Sequence, residues 1–514
     1  MASEIKALVF DLGGVLLEWD RQSVTDLSPM QFLTIMNSTT WHKLDRGLLT
    51  VKEACKDFGS ILGVEPPVIE TALEQAQLSL HVNTQLVQTI YDLINLRPDL
   101  KVYVMSNISR EHYKMVQQLP LPWDIFSNIF VSGIDGMRKP DLCFFQHVIQ
   151  QTGVHPHQLV MIDDTVENIC AARSQGMHGV LVDDKASKTG ATLLNLLQDP
   201  LPRAESFLKN NARNHNSIIE GHEDIIFKDN FSQLMIWELT RGESLIYLKW
   251  PSGRLHGTPN GNSTNGDTNG NHDAAVKSDL KNGLWNYFYE KSVLTNQEFP
   301  PDADTTSTAY LSLPEEYLST VTNVNSVLDA MATNVDSDGI MQVYFSSERP
   351  RKTPEVCCNI LRVFHRYGHG SDPRIRKTED WVVNCLANNA CIDGNRHYST
   401  PESFFYFVAR LYNECRGSPL SSRLEAIKER LEERINVPTN PMSLAMRIYA
   451  CQLVGIDAKL YRKDFDTLLS LQGRDGGWPA GHFTCIGKTG ARIGNRGLTT
   501  AFAAKTIQNE RLII

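Results

Sequence analysis

The sequence contains no apolar run approaching the ~20 residues that a membrane-spanning helix needs. It also lacks the charged leader and long apolar core of a signal peptide, since MASEIKALVF runs straight into a strand. There is no excess of basic residues. Lys and Arg number 50 against 59 Asp and Glu, a formal net charge of -9, which argues against non-specific nucleic-acid binding. An anionic substrate therefore needs local basic groups or a metal. The 10 cysteines show no metal-ligand spacing. The adjacent Cys357-Cys358 suits neither a zinc site nor an easy disulfide, and the set reads as reduced thiols of a cytoplasmic protein. Asn262-Ser263-Thr264 is a glycosylation sequon without a secretion signal, and reads as chance.

The remainder is that of a folded globular chain. Its 514 residues suffice for two or three domains, and 41% of them are hydrophobic. The first part alternates short apolar strands with helices. Ala7-Leu8-Val9-Phe10, Val102-Tyr103-Val104-Met105, Ile129-Phe130-Val131, Leu159-Val160-Met161-Ile162 and Gly179-Val180-Leu181-Val182 are strand signals. Such alternation predicts an α/β domain with a parallel sheet over residues 1–198, with a helical insert at about 19–98. A polar, patternless stretch at 199–221 reads as a linker. Residues 222–514 are patterned almost throughout as helices and predict an all-α domain. Within it, 257–282 is rich in Gly, Asn, Ser, Thr and Asp and is expected to be disordered.

Four motifs fall at the C-terminal ends of the predicted strands, where ligands sit in open α/β sheets. They are Asp11 with Gly13, Ser106-Asn107, Lys139 in Arg138-Lys139-Pro140-Asp141, and Asp163-Asp164. Each alone suits a helix cap or a solvated turn. Together they form a coherent chemistry. A carboxylate attacks phosphorus, a hydroxyl and an amide hold phosphoryl oxygens, a Lys offsets charge, and further carboxylates hold a hard cation. Asp163-Asp164-Thr165-Val166-Glu167 also reads D-D-x-x-E, which adds Glu167 as a candidate ligand.

The second constellation is Asp302-Ala303-Asp304-Thr305-Thr306, after Pro300-Pro301. Asp and Thr before Tyr310-Leu311 suit a helix N-cap. They equally suit a carboxylic acid kept protonated in an apolar cavity. Near the C-terminus stands Gln472-Gly473-Arg474-Asp475-Gly476-Gly477-Trp478, a Q-x-x-x-G-x-W turn. Weaker echoes are Asp338-Gly339 followed by Tyr344, and Asp393-Gly394 followed by Tyr398. Trp285, Tyr287, Phe288, Tyr289 and Phe299 cluster near the acidic motif, and aromatic faces stabilise carbocations.

The N-terminal set resembles the haloacid dehalogenase (HAD) superfamily, specifically its Mg²⁺-dependent phosphatases, over roughly residues 4 to 190. The resemblance implies a Rossmannoid fold with a small helical cap. It implies Asp11 as nucleophile, and Ser106, Asn107 and Lys139 as phosphate-binding. It implies Asp11, the Gly13 backbone carbonyl, Asp163 and Asp164 as the Mg²⁺ site. Many members carry a second Asp as general acid where this chain has Gly13. Asp302–Thr306 resembles the D-x-D-T-T variant of the class II terpene cyclase acidic motif, and Gln472–Trp478 resembles their QW motif. Residues from about 222 to 514 thus resemble the β domain of class II cyclases, an α/α barrel. The whole chain resembles the HAD-fused cyclases of drimane-type sesquiterpenes, the drimenol and albicanol synthases.

By that resemblance the substrate is a small prenyl diphosphate, farnesyl diphosphate. Asp304 protonates its terminal double bond, Asp302 tunes Asp304, and Thr305 and Thr306 orient it. The bicyclic diphosphate is then dephosphorylated in the first domain. Arg349, Arg351, Lys352, Arg396 and Arg492 are candidates to hold the diphosphate. Two other readings stay open: a cyclase with an inert HAD domain, and a small-metabolite phosphatase with a helical protein-binding domain.

Overall fold

The computed structural model describes residues 5–182, 186–251, 283–288, 299–318, 323–486 and 490–513. The insertion at 257–282 with its sequon, and Tyr289, lie outside them. The chain forms two compact units, Met1–Asp199 and Pro200–Ile514.

In the first unit, β1 (Ala7–Phe10), β4 (Lys101–Ser106), β5 (Asn128–Val131), β6 (Leu159–Asp163) and β7 (His178–Leu181) form a parallel sheet in the order β5-β4-β1-β6-β7. β1 and β6 are buried throughout and apolar up to Asp163, the last residue of β6, as strands covered on both faces are. Register aligns Phe10 with Val104 on one side and Ile162 on the other. Asp11, Ser106 and Asp163 therefore emerge at one edge.

A two-residue antiparallel pair, β2 (Leu17–Glu18) with β3 (His81–Val82), forms the neck of the cap. Between them α1 (Pro29–Met36), α2 (Thr39–Asp45), α3 (Val51–Leu62) and α4 (Pro66–Leu78) bury their own core around Phe32, Ile35, Phe58 and Leu73. The expected cap boundary near residue 98 is too late. α5 (Thr84–Leu96) packs Leu86, Ile90 and Leu93 into the core beside the sheet instead.

The second unit is built on six helices. They are α6 (Asn230–Thr240), α7 (Ala303–Ser312), α8 (Pro354–Arg366), α9 (Pro401–Glu414), α10 (Pro441–Val454) and α11 (Arg496–Ile513). Each packs on the next and α11 returns to α6, closing a ring. The neighbours run parallel. Thr400, the N-cap of α9, meets Ser443 in the first turn of α10 at 2.9 Å, and Glu238 late in α6 meets Arg362 late in α8 at 2.6 Å. Further helices such as Arg376–Ala387 and Arg462–Ser470 pack outside this ring, giving an α/α barrel.

Two features depart from the sequence reading. Residues 199–221 are not a bare linker: the helix Pro200–Asn210 buries Ala204, Phe207 and Leu208, at i, i+3 and i+4, against α11. The helical domain also carries a four-stranded sheet in the order β10-β11-β8-β9, from Ser217–Ile219 (β8), His222–Phe227 (β9), His482–Ile486 (β10) and Ala491–Gly494 (β11). These strands come from both ends of the unit, so local pattern did not announce their pairing.

The QW turn fastens the ring's outer layer. Gln472 accepts from Arg203 at 3.0 Å and donates to the Pro200 and Gly476 carbonyls at 2.9 Å. Trp478 is fully buried and donates its indole N–H to Leu468 O at 2.7 Å. Gly476 has φ +90, and a Cβ there would lie 2.3 Å from Arg203 O, so the turn requires glycine. Trp478→Ala is expected to destabilise the protein by about 3–5 kcal/mol, through the cavity and the lost hydrogen bond. A thermal melt within a degree of wild type would show that the turn does not clamp the barrel.

Candidate active sites

The sheet edge of the first unit gathers Asp11, Lys139, Asp163 and Asp164. Lys139 is 1% exposed, and its Nζ lies 2.9 Å from Asp11 and 2.6 Å from Asp163. Burial opposes the Lys139 ammonium, yet Asp11 and Asp163 hold its pKa above the usual lysine value. Burial pushes the Asp11 carboxyl up to about 7, against Lys139 and reinforced by Asp163. Burial and Asp163 likewise raise Asp164. Oxygens of Asp11, Asp163 and Asp164 all lie within 4.8 Å of one another. Three carboxylates answered by one lysine, all with hard oxygen donors, fit a divalent cation such as Mg²⁺.

The other candidates sort by what they touch. Ser106 is buried at the end of β4. Asn107 joins its amide to the backbone of Lys139, accepting at 2.7 Å and donating at 2.8 Å, so it aims the lysine. Glu167 does not join the carboxylate cluster and is exposed on its helix. Asn168, which the sequence reading passed over, donates to Asp163 at 2.9 Å. Nothing lies within 4 Å of a Cβ at Gly13, so packing does not impose glycine there.

In the second unit Asp302 and Asp304 open α7. Asp302 is its N-cap and accepts from Thr305 N at 2.6 Å. Burial pushes Asp302 up to about 8. Asp304 has different company. Asn359 of α8 donates to its Oδ1 at 2.8 Å, and the Tyr398 hydroxyl, just before α9, donates to its Oδ2. Arg362 donates to Asn359 Oδ1 at 2.9 Å. A guanidinium only donates, so Asn359 must present its NH₂ to Asp304. Each oxygen of Asp304 thus accepts one hydrogen bond, Oδ1 from Asn359 and Oδ2 from Tyr398. Arg362 and Arg410 in turn share Glu238. Burial raises Asp304 to about 6, against the Tyr398 and Asn359 hydrogen bonds and the Arg362 charge. Burial, then the Asp304 charge, keeps the Tyr398 phenol far above its usual value, so it remains a donor.

Rings adjoin this acid. Tyr398 packs against Phe407 and Phe483 at 5.5 and 5.8 Å between centroids, and Phe231 against Phe483 and Tyr287 at 6.3 and 5.9 Å. Of the aromatics expected here, Tyr287 joins the group. Phe288 and Phe299 pack on each other at 5.1 Å and reach the group through Tyr287, at 4.7 and 6.5 Å, while Trp285 is buried against Trp250. Phe231, Phe407 and Phe483 come from distant segments and carried no local signal.

Thr305 and Thr306 do not orient the acid. Trp285 N donates to Thr306 Oγ1 at 2.9 Å, and Thr305 acts on the Asp302 carboxyl, not on that of Asp304. Adjacent helical residues do not share a face, which excludes both from Asp304. Asp302 likewise makes no hydrogen bond to the Asp304 carboxyl; it caps the helix that carries it, accepting from the Thr305 and Asp304 backbone. Tyr398 did have a signal, as the aromatic of the Asp393-Gly394 echo. Gly339, Gly394 and Gly476 each follow an Asp and adopt positive φ.

Known proteins match both units. Residues 5–176 match the haloacid dehalogenase-like hydrolase family, and residues 201–367 match the family described as sesquiterpene cyclase astC-like C-terminal domain. Drimenol cyclase drtB of Aspergillus calidoustus is 34% identical over 507 residues, 98% of this chain and 88% of that protein. The chain belongs to the fused hydrolase–sesquiterpene cyclases. A separate relative of this fused family's hydrolase part is sesquiterpene phosphatase astK of Aspergillus oryzae, 32% identical over 38% of this chain and 98% of its own. A HAD-family enzyme of Bacteroides thetaiotaomicron, solved with magnesium and inorganic phosphate, is 26% identical over 35% of this chain and 94% of its own, with TM-score 0.29. No helix among the described residues of this fused cyclase is long and apolar enough to cross a membrane.

Proposed function

We propose that this protein cyclises farnesyl diphosphate to a bicyclic drimane-type diphosphate and then removes the phosphates to give the alcohol. The observation that carries the reading is Asp304: a buried carboxylic acid, facing aromatic rings, with two donors waiting for its conjugate base. Protonating an alkene demands a strong acid that is still protonated before the reaction. Burial supplies the protonation. Tyr398 and Asn359 supply the strength, because they stabilise the carboxylate as it forms. Asp304 gives its proton to the terminal double bond, the chain closes to a bicyclic cation among the rings, and loss of a proton leaves an alkene. Neither Asp302 nor Asp304 ionises the diphosphate, which survives this step.

In the first unit Asp11 attacks the phosphorus as the P–O bond to the leaving group breaks, and water then hydrolyses the aspartyl phosphate to inorganic phosphate and free Asp11, once for each phosphate removed. Lys139 and Ser106 hold phosphoryl oxygens, and Asn107 and Asn168 fix Lys139 and Asp163. Asp11, Asp163, Asp164 and the Gly13 carbonyl would hold Mg²⁺, which offsets phosphate charge and activates the leaving group. Gly13 supplies no general acid, and this favours a fair leaving group such as phosphate over an alkoxide. It also keeps the cyclase-only reading in view. Incubation with farnesyl diphosphate and Mg²⁺ separates the two. A bicyclic alcohol is the expected product, a bicyclic diphosphate indicates an inert hydrolase, and farnesol or unchanged substrate rejects cyclisation.

Cyclisation requires Asp304 protonated, so its rate is expected to fall as pH rises through about 6. The Tyr398 hydrogen bond lowers that pKa. In Tyr398→Phe the descending limb should therefore move to higher pH, while kcat on the plateau drops by about 10-fold or more for want of one carboxylate donor. An unmoved limb would remove Tyr398 from the acid's environment.

A further inference from the structure

Given the cyclisation reading, something must hold the diphosphate while the rings close. The five candidate basic residues now separate. Lys352 is paired with Asp336 at 2.6 Å and Asp338 at 2.7 Å. Arg492 faces Glu220 at 3.4 Å. Arg349 lies over the Phe299 ring at 5.1 Å. Arg351 and Arg396 are exposed and have no carboxylate partner among the described residues.

The backbones of Arg351 and Arg396 are stitched to the acid motif from two sides. Val343 N donates to Arg351 O at 2.7 Å, and Val343 O accepts at 2.7 Å from Ala303 N, between the two aspartates. Arg396 stands two residues before Tyr398, which holds Asp304. His397 follows Arg396 in the chain, and the charge of Arg351 also reaches its ring. Its Nε2 faces the Tyr344 hydroxyl at 3.4 Å, and its Nδ1 is buried without a partner. Burial, then the charges of Arg396 and Arg351, hold the His397 imidazole down at about 4, so both arginines act on one neutral ring. Tyr344 in turn pairs with the backbone of Asp302.

The surrounding field has the same sign. The six parallel inner helices turn their N-termini to this rim, each worth about half a positive charge. Burial raises the nearest buried acids, Asp302 and Glu355 to about 8 and Asp304 to about 6. A pair of unanswered guanidiniums near an unpartnered imidazole nitrogen, at the positive end of a barrel, suits a compact polyanion. Guanidinium forks match phosphate oxygens bidentately.

We propose that Arg351 and Arg396, with the neighbouring His397, seat the diphosphate group of the prenyl substrate on the rim beside Asp304. The seat uses chain-borne cations at the cyclase site, separate from the carboxylate cluster of the first unit. It leaves the apolar tail free to fold back among the rings at Asp304. The shared chemistry is that of a diphosphate, so free inorganic diphosphate should compete for the same place.

The test is steady-state cyclisation by the full chain, scored as total bicyclic product, for Arg351→Gln, Arg396→Gln and the double variant. Each lost charge-assisted contact should raise KM by about 10-fold or more, and the double by about 100-fold, with kcat within about threefold. Inhibition by inorganic diphosphate should weaken in parallel. Arg351→Lys should fall between wild type and Arg351→Gln, because it keeps the charge and loses the fork. Arg366→Gln, at the far end of α8 with its guanidinium 3.9 Å from Glu414, is the control and should match wild type. Retained phosphate-ester hydrolysis and an unchanged melt certify folding. If the double variant keeps wild-type KM and wild-type inhibition by diphosphate, the seat is elsewhere and the cyclase reading stands. A fall in kcat at unchanged KM equally rejects the seat, since the arginines would then act on the acid. If wild type forms no bicyclic product, the cyclase reading fails and the seat with it.

Discussion

Asp304→Asn should abolish ring formation while leaving phosphate-ester hydrolysis at wild-type rate. The substitution is nearly isosteric. The new amide oxygen can still accept from Asn359, and the new NH₂ can turn to the Tyr398 oxygen, so packing around α7 is kept. What disappears is the only proton of this site placed to leave. A general acid is typically worth ~10²–10⁴-fold, and the loss should reach about 10³-fold or more because no neighbour can replace it. Asp302 is the closest carboxylate in sequence, but its Oδ1 is committed to Thr305 N as a helix cap, and it is only 3% exposed against 8% for Asp304. The measurement is product analysis from farnesyl diphosphate, with hydrolysis of farnesyl monophosphate followed in parallel. Cyclisation within tenfold of wild type would sink the assignment of Asp304. Loss of both activities would point to a folding defect, which the melt would reveal.

Asp11→Asn has the complementary expectation. The nucleophile and one carboxylate of the cation site go together, so alcohol release should fall by about 10³-fold or more and the bicyclic diphosphate should accumulate. Chelation of Mg²⁺ should reproduce that product pattern in the wild-type enzyme. Glu167→Gln should not, because Glu167 stands outside the Asp11–Asp163–Asp164 cluster; less than a threefold change is expected. Free alcohol at the normal rate from Asp11→Asn would exclude Asp11 as nucleophile and assign the hydrolysis elsewhere.

The hydrolase site was legible before any coordinates for a definite reason. In a parallel sheet buried on both faces each strand is a short continuous apolar run, and the functional residues follow at its C-terminal end. Register then brings Asp11, Ser106 and Asp163 to one edge. The cap boundary was not legible, because its neck is two residues per strand and gives no periodicity. Nor was the helix Pro200–Asn210, whose three buried residues are diluted by Pro, Arg, Glu and Lys. Glu167 shows the limit of motif reasoning from the other direction. It has the right chemistry at the right spacing, yet it points to solvent.

The acidic motif shows most plainly what belongs to each level. The order of residues determined that Asp302 would cap a helix, that Asp304 would lie in its first turn, and that Thr305 and Thr306 would face away, because these follow from 3.6 residues per turn. It also determined the two families of motif and their sequence along one chain. Only the tertiary structure decided that Asp304 is an acid of usable strength. Its pKa is set by burial and by donors on other helices, Asn359 and Tyr398, which lie 55 and 94 residues away along the chain. The same holds for the arginines at the rim. Five cations were visible in the sequence, and contact with Asp336, Asp338 and Glu220 removed two of them from candidacy. Charge, proton affinity and solvent access depend on distance through space, and the barrel alone fixes those distances.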